Sequence, residues 1–256
     1  HLPYDRPPLS KRYLSGEWEV DNIALRKPEA LASLDLTFRL GSAAQKLDTA
    51  GRSLALADGS MLPYDGLIIA TGASCRRLPA QPSWEGVHEL RTLDDAVSLR
   101  NAIRVRRPDG APRRVVVIGA GFIGLEAAAT ARSTYECEVT VLEGLPVPLV
   151  RALGPDMGAS LALVHGEHGV SVRCGVQVAG IEGSDGHVTG VRLGDNEVIP
   201  ADVVLVAIGV SPNTGWLEGS GLDLADGIRC DSTLNAGAPG VYAAGDIARW
   251  PNALFG

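Results

Sequence analysis

Residues Val115-Val116-Val117-Ile118-Gly119-Ala120-Gly121-Phe122-Ile123-Gly124 constrain this chain more than any other stretch. Four β-branched residues run straight into a glycine loop, and the helix formers Leu125-Glu126-Ala127-Ala128-Ala129 follow. The β-branched run suits a strand buried on both faces, and the alanine-rich run suits a helix. Gly119 permits the tight turn between them, Gly121 lacks the Cβ that would meet a pyrophosphate, and Gly124 lets the helix pack closely on the strand. The first helical turn, with Phe122 and Ile123, offers unpaired N–H groups to an anion. Val139-Thr140-Val141-Leu142 then reads as a second buried strand that ends at Glu143. A carboxylate there accepts hydrogen bonds from an adenosine ribose and repels a 2′-phosphate, so NAD is expected rather than NADP. The full order of strand, loop, helix, strand and acid is far more specific than the glycines alone.

At 256 residues the chain has room for about two domains. Its apolar share of 45% fits a globular protein. No apolar run approaches the roughly 18 residues of a membrane span, and no charged-then-apolar leader opens the sequence. A soluble, cytoplasmic protein without a membrane partner is therefore expected. The net charge of −7 argues against nucleic acid as a partner. The basic run Arg104-Val105-Arg106-Arg107, continued at Arg113-Arg114, reads first as a solvated linker and second as a dock for an acidic protein. Cys75, Cys137, Cys174 and Cys230 lack Cys-x-x-Cys spacing and are expected as buried free thiols of a reducing compartment. His165, Glu167 and His168 have the spacing of a helical metal pair but no third ligand, so no metal is expected. Trp84, Trp216 and Trp250 sit beside loop signals and read as packing residues.

The two halves of the chain repeat one pattern. Leu36-Thr37-Phe38-Arg39-Leu40-Gly41 matches Val170-Ser171-Val172-Arg173-Cys174-Gly175, each reading as a strand closed by glycine. Leu62-Pro63-Tyr64-Asp65-Gly66-Leu67-Ile68-Ile69-Ala70-Thr71-Gly72 likewise matches Ile199-Pro200-Ala201-Asp202-Val203-Val204-Leu205-Val206-Ala207-Ile208-Gly209. Hairpin signals lie between the anchors, Ala57-Asp58-Gly59-Ser60 in one half and Ser184-Asp185-Gly186-His187 in the other. Two copies of one nucleotide-binding unit explain this. The first pair of anchors is offset by 170 − 36 = 134 residues, which places the counterpart of Gly119 near 119 − 134 = −15, upstream of His1. An amino-terminal strand–loop–helix unit is thus expected outside this sequence, which reads as a fragment.

Five blocks carry a family resemblance: Pro3-Tyr4-Asp5-Arg6-Pro7-Pro8-Leu9-Ser10-Lys11, Ala70-Thr71-Gly72-Ala73, the loop with Glu126, Gly209-Val210-Ser211-Pro212-Asn213, and Gly240-Val241-Tyr242-Ala243-Ala244-Gly245-Asp246. In family order they resemble the FAD-dependent pyridine-nucleotide oxidoreductases, most closely the NADH-dependent ferredoxin or rubredoxin reductases that serve oxygenases and cytochromes P450. The resemblance implies FAD and NAD as cofactors and a ferredoxin or rubredoxin as electron acceptor. It implies that Asp246, with Gly245, meets the flavin ribityl chain, and that Lys11 sits by the flavin N5–O4 edge, paired with Glu126 beside the nicotinamide. Arg6, Ala44, Thr71, Gly72 and Arg91 correspond to further flavin contacts, while Arg151 and Gly209 match positions lining the NAD. No cysteine precedes Lys11 in this sequence, which disfavours a disulfide substrate.

The fold class expected is α/β, with two Rossmann-like nucleotide-binding units. Each places a parallel sheet between helices and a three-stranded antiparallel crossover. Residues 1–97 and 222–256 are expected to form a discontinuous FAD-binding domain, and 98–221 an NAD-binding domain inserted between them. The function that follows is hydride transfer from NADH to flavin and single-electron delivery to an iron–sulfur protein. The alternatives are an NAD(H)-binding module without turnover, an NADH oxidase, or the flavin subunit of a nitrite reductase.

Overall fold

The structure is a computed structural model that describes residues 1–254. The amino-terminal stretch holds the short helices α1 (Arg12–Ser15), α2 (Val20–Ile23) and α3 (Pro28–Ala32). Five strands follow: β1 (Ala44–Asp48), β2 (Ser53–Leu56), β3 (Met61–Pro63), β4 (Leu67–Ile69) and β5 (Ala73–Cys75). Next come β6 (Val87–His88), α4 (Leu93–Arg104), β7 (Arg114–Ile118), α5 (Phe122–Tyr135), β8 (Glu138–Glu143), α6 (Val150–Glu167) and β9 (Val170–Cys174). Strands β10 (Val178–Ser184), β11 (His187–Leu193), β12 (Val198–Pro200), β13 (Val203–Val206) and β14 (Val210–Pro212) lead to β15 (Ile228–Arg229), β16 (Val241–Ala243) and β17 (Ala248–Arg249). The chain packs as two units, one of residues 2–28 with 75–209, the other of 29–74 with 210–254 and His1.

In the larger unit five parallel strands run in the order β6-β13-β7-β8-β9. The apolar run of β7 divides by side-chain alternation. Val115 and Val117 join a core with α4, α5 and the amino-terminal residues Leu9, Tyr13, Leu14 and Ile23. Val116 and Ile118 join a second core with Val188, Val191 and Leu193 of β11. The parallel sheet is thus a middle layer between helices and the antiparallel meander β10-β11-β12, the layering expected for a Rossmann-like unit with a three-stranded crossover. Helix α4 starts at a capping box in which Thr92 Oγ1 accepts from the Asp95 N–H and the Asp95 carboxylate accepts from the Thr92 N–H. The β10–β11 hairpin turns through Asp185 and Gly186, both at positive φ, the two-residue turn that matches strand twist.

The smaller unit contains the antiparallel meander β1-β2-β3 and the parallel pairs β4–β16 and β15–β17. Leu47, Leu54, Leu56, Ile69, Val241, Ala243 and Ile247 share its core. Here one expectation fails: Leu36 to Gly41 do not form a strand. A strand needs a neighbour for its N–H and C=O groups; these residues have none among those described, and Leu36, Phe38 and Leu40 lie exposed. All four cysteines are free, as expected, but Cys75 and Cys174 are only half-buried. Burial pushes the Cys137 thiol up to about 11. No helix among the described residues is long and apolar enough to cross a membrane.

Candidate functional site

Strand β7 delivers the glycine loop to the carboxyl edge of the parallel sheet, where ligands of such sheets bind. Gly119 has φ +105°, and a Cβ there would strike the Ala207 carbonyl of β13's extension. At Gly124 a Cβ would collide with the Gly119 carbonyl oxygen, so this glycine sets how closely α5 approaches the turn. Gly121 differs: a Cβ would meet nothing within 4 Å among the described residues, and the residue instead borders a cleft of about 520 Å³. Gly119, Ala120, Phe122, Glu143, Arg151 and Gly209 line the same cleft. Helix α5 opens onto it from Gly121 with no side-chain cap on its first N–H groups, leaving donors and the positive end of the helix dipole for an anion. Ile123 is exposed in the same first turn.

Glu143, at the end of β8, turns its carboxylate back toward the loop. Oε2 accepts from the Ala120 N–H at 2.8 Å and Oε1 from the Leu145 N–H at 2.9 Å. Each oxygen keeps a lone pair, so the side chain braces the loop and still presents an acceptor to the cleft. That bracing role carried no signal in the sequence, because it depends on the side chain's direction.

Packing of Leu9, Tyr13 and Leu14 into the core of the larger unit sets Lys11 against α5. Lys11 Nζ lies 2.7 Å from Glu126 Oε2, with the two side chains 47% and 31% exposed, so the pair is open to a ligand. The sequence reading missed the neighbour that completes this contact: Ser10 Oγ donates to the same Oε2 at 2.6 Å. Arg6 opens the Pro7–Ser10 turn that carries Lys11 and is exposed. Arg91 lies half-buried before α4, its N–H donating to Asp95 Oδ2.

In the smaller unit, β4 and β16 are parallel neighbours and the Ala244 N–H extends their ladder to the Ile69 carbonyl. Thr71–Gly72 and Gly245–Asp246 therefore leave the same sheet edge. Asn213, also unpredicted as a contact, holds the first of these loops: its N–H donates to the Gly72 carbonyl, its Nδ2 to the Thr71 carbonyl, and its Oδ1 accepts from Ser74 Oγ. Trp216 Nε1 donates to Thr71 Oγ1 at 3.4 Å. Ala44 opens β1, opposite Leu56 and half-buried. Among the described residues, no group of three or more His, Cys, Asp or Glu side chains could hold a metal ion.

The comparisons with known proteins agree on one family. The probable ferredoxin reductase CtmF of Castellaniella defragrans is 39% identical over 255 residues, covering 99% of this chain and 60% of its own length. Rhodocoxin reductase of Rhodococcus erythropolis is 38% identical over 251 residues, covering 98% and 57%. The crystal structure of the covalent putidaredoxin reductase–putidaredoxin complex superposes with a TM-score of 0.93 at 34% identity, covering 100% of this chain and 61% of that one. The chain thus spans about 60% of the length of the curated relatives it matches. The family model described as pyridine nucleotide-disulphide oxidoreductase matches residues 1–254, and the chain belongs to that family.

Proposed function

We propose that this chain serves a flavin-dependent oxidoreductase that takes hydride from NADH and passes electrons singly to an iron–sulfur protein, a ferredoxin or rubredoxin, in the cytoplasm. The observation that carries the reading is the Lys11–Glu126 contact on α5, the helix whose first turn borders the dinucleotide cleft. The names of the relatives support the acceptor class: one is a rhodocoxin reductase and another was crystallised joined to putidaredoxin.

In this reading Gly119, Gly121, Phe122, Ile123, Gly124, Glu143, Arg151 and Gly209 hold NAD. The α5 amino terminus takes the pyrophosphate and Glu143 the ribose hydroxyls. Arg6, Lys11, Ala44, Thr71, Gly72, Arg91, Gly245 and Asp246 face FAD. Residues 1–97 and 222–256 serve the flavin and 98–221 the pyridine nucleotide, whichever unit each segment packs with. When bound, the flavin supplies the conversion from one two-electron donor to two one-electron deliveries, so one NADH is consumed for every two acceptors reduced. Lys11 contributes a fixed positive charge where negative charge develops. Glu126 keeps that ammonium in place and offers its second oxygen, which has no partner among the described residues, to an N–H donor of the pyridine substituent.

Mixing the full-length, FAD-loaded protein with NADH without oxygen is expected to bleach the flavin absorbance, and added ferredoxin to restore it. Lys11→Met or Glu126→Ala is expected to slow bleaching about 100-fold, the scale for losing one oriented polar group, with NADH affinity changed much less. A flavin that stays yellow under NADH overturns the proposal.

A further inference from the structure

Ser10 is only 1% exposed, although a buried hydroxyl is costly unless it is hydrogen-bonded. Helix α5 satisfies it from two positions one turn apart. The Ser10 hydroxyl donates to Glu126 Oε2 at 2.6 Å, and its carbonyl accepts from Thr130 Oγ1 at 3.0 Å. These two contacts separate cleanly. The carbonyl bond to Thr130 belongs to the backbone, would survive with alanine in place of serine, and suffices to dock the turn on the helix. The hydroxyl bond serves Glu126 alone.

Glu126 needs such a partner. A carboxylate on a glutamate rotates in a broad, two-fold torsional well, and a half-exposed lysine on a flexible four-carbon stem holds it weakly. With Ser10 Oγ and Lys11 Nζ both on Oε2, that oxygen is occupied from two directions, whereas Oε1 has no donor among the described residues. We infer that Ser10 is a positioning residue: it fixes the Glu126 carboxylate so that one oxygen secures Lys11 and the other stays turned to a single incoming N–H donor. The inference rests on reading Lys11 and Glu126 as the nicotinamide-side couple, and it adds a residue that is itself only 1% exposed.

The test uses the full-length protein with its flavin and compares the parent with Ser10→Ala and Ser10→Cys. One readout needs no NADH: acetylation of Lys11 by acetic anhydride, located by mass spectrometry, with Lys27 and Lys46 as references. The other is flavin reduction in stopped flow, separated into the rate at saturating NADH and the NADH dissociation constant. For Ser10→Ala, Lys11 acetylation is expected to rise about threefold and the saturated rate to fall about tenfold, with NADH affinity within about twofold and the melting temperature unchanged. Ser10→Cys keeps the volume and a weak donor and is expected between the two. Parental Lys11 acetylation in a folded Ser10→Ala protein overturns the inference whatever the rate does, and raised acetylation with a parental rate overturns it as well. Should Glu126→Ala itself leave flavin reduction untouched, the couple's role fails instead, and the acetylation result still reports on Ser10.

Discussion

The two copies of the repeated unit place the same kind of strand in different surroundings. In the larger unit Val203 to Val206 of β13 are all buried, with β7 along one edge, β6 along the other, helices on one face and β11 on the other. In the smaller unit the matching strand, β4, pairs with β16 and buries Ile69, while Ile68 is 70% exposed. Tyr242, opposite Ile68, is exposed as well. An apolar run therefore states which surroundings a strand suits, and the packing of the described residues decides how much of that burial is realised.

The largest expected difference follows from that contrast. Leu205→Ala in β13 removes a side chain that is 1% exposed and should cost about 3 kcal/mol by combined transfer and cavity effects. Ile68→Ala in β4 should stay within about 0.5 kcal/mol in this chain, because its side chain meets water already. Urea unfolding of the two variants checks this, and equal losses would break the comparison.

A smaller contrast concerns the acids that precede the two strands. Asp202 accepts from the Arg114 N–H at 2.8 Å and from its Nε at 3.1 Å, tying the start of β13 to the start of β7. Burial pushes the Asp202 carboxyl up, but the hydrogen bonds and charge of Arg114 outweigh it and hold the group below its ordinary value. The matching residue, Asp65, is exposed and has no such arginine among the described residues. Because the folded-state pKa of Asp202 is lowered, its stabilisation is full at neutral pH and is lost as pH falls through that lowered value. Arg114→Leu is therefore expected to cost about 2 kcal/mol at pH 7 and progressively less in acid. Asp65→Asn, at an exposed position with no such contact to lose, should change stability at pH 7 by less than about 0.5 kcal/mol. A pH-independent penalty for Arg114→Leu would make the contact one of packing alone.

Much of this was legible in the sequence because it is local. The β7–loop–α5–β8 block is written in consecutive residue types, and the hairpin at Asp185-Gly186 is a two-residue signal. The resemblance added the Lys11–Glu126 proximity, which lies 115 residues apart in the chain. What was not legible depends on distant partners. Leu36 to Leu40 has strand-like composition but no ladder neighbour among the described residues. Ser10 looks like any serine beside a lysine until α5 is seen to hold it at both ends. Asn213 reads as a turn residue, although its amide secures the Thr71–Gly72 loop.

An equally small expected effect on stability is the most informative about the larger unit's cleft, because its three loop glycines act in three different ways. Gly119→Ala would force a side chain onto a φ of +105° and against the Ala207 carbonyl, and Gly124→Ala would drive α5 away from its turn, so both should destabilise the unit. Gly121 has φ −77° and open space around its absent Cβ. Gly121→Ala should therefore change unfolding by less than about 0.5 kcal/mol. On the proposed reading the added methyl would occupy the place where a pyrophosphate approaches the backbone, so NADH binding should weaken about tenfold, or roughly 1.4 kcal/mol. Calorimetric titration of NADH into the parent and Gly121→Ala proteins, beside their melting curves, separates the two effects. Parental affinity in Gly121→Ala would mean that the nucleotide does not reach this loop, even though the sheet beneath it is built as described.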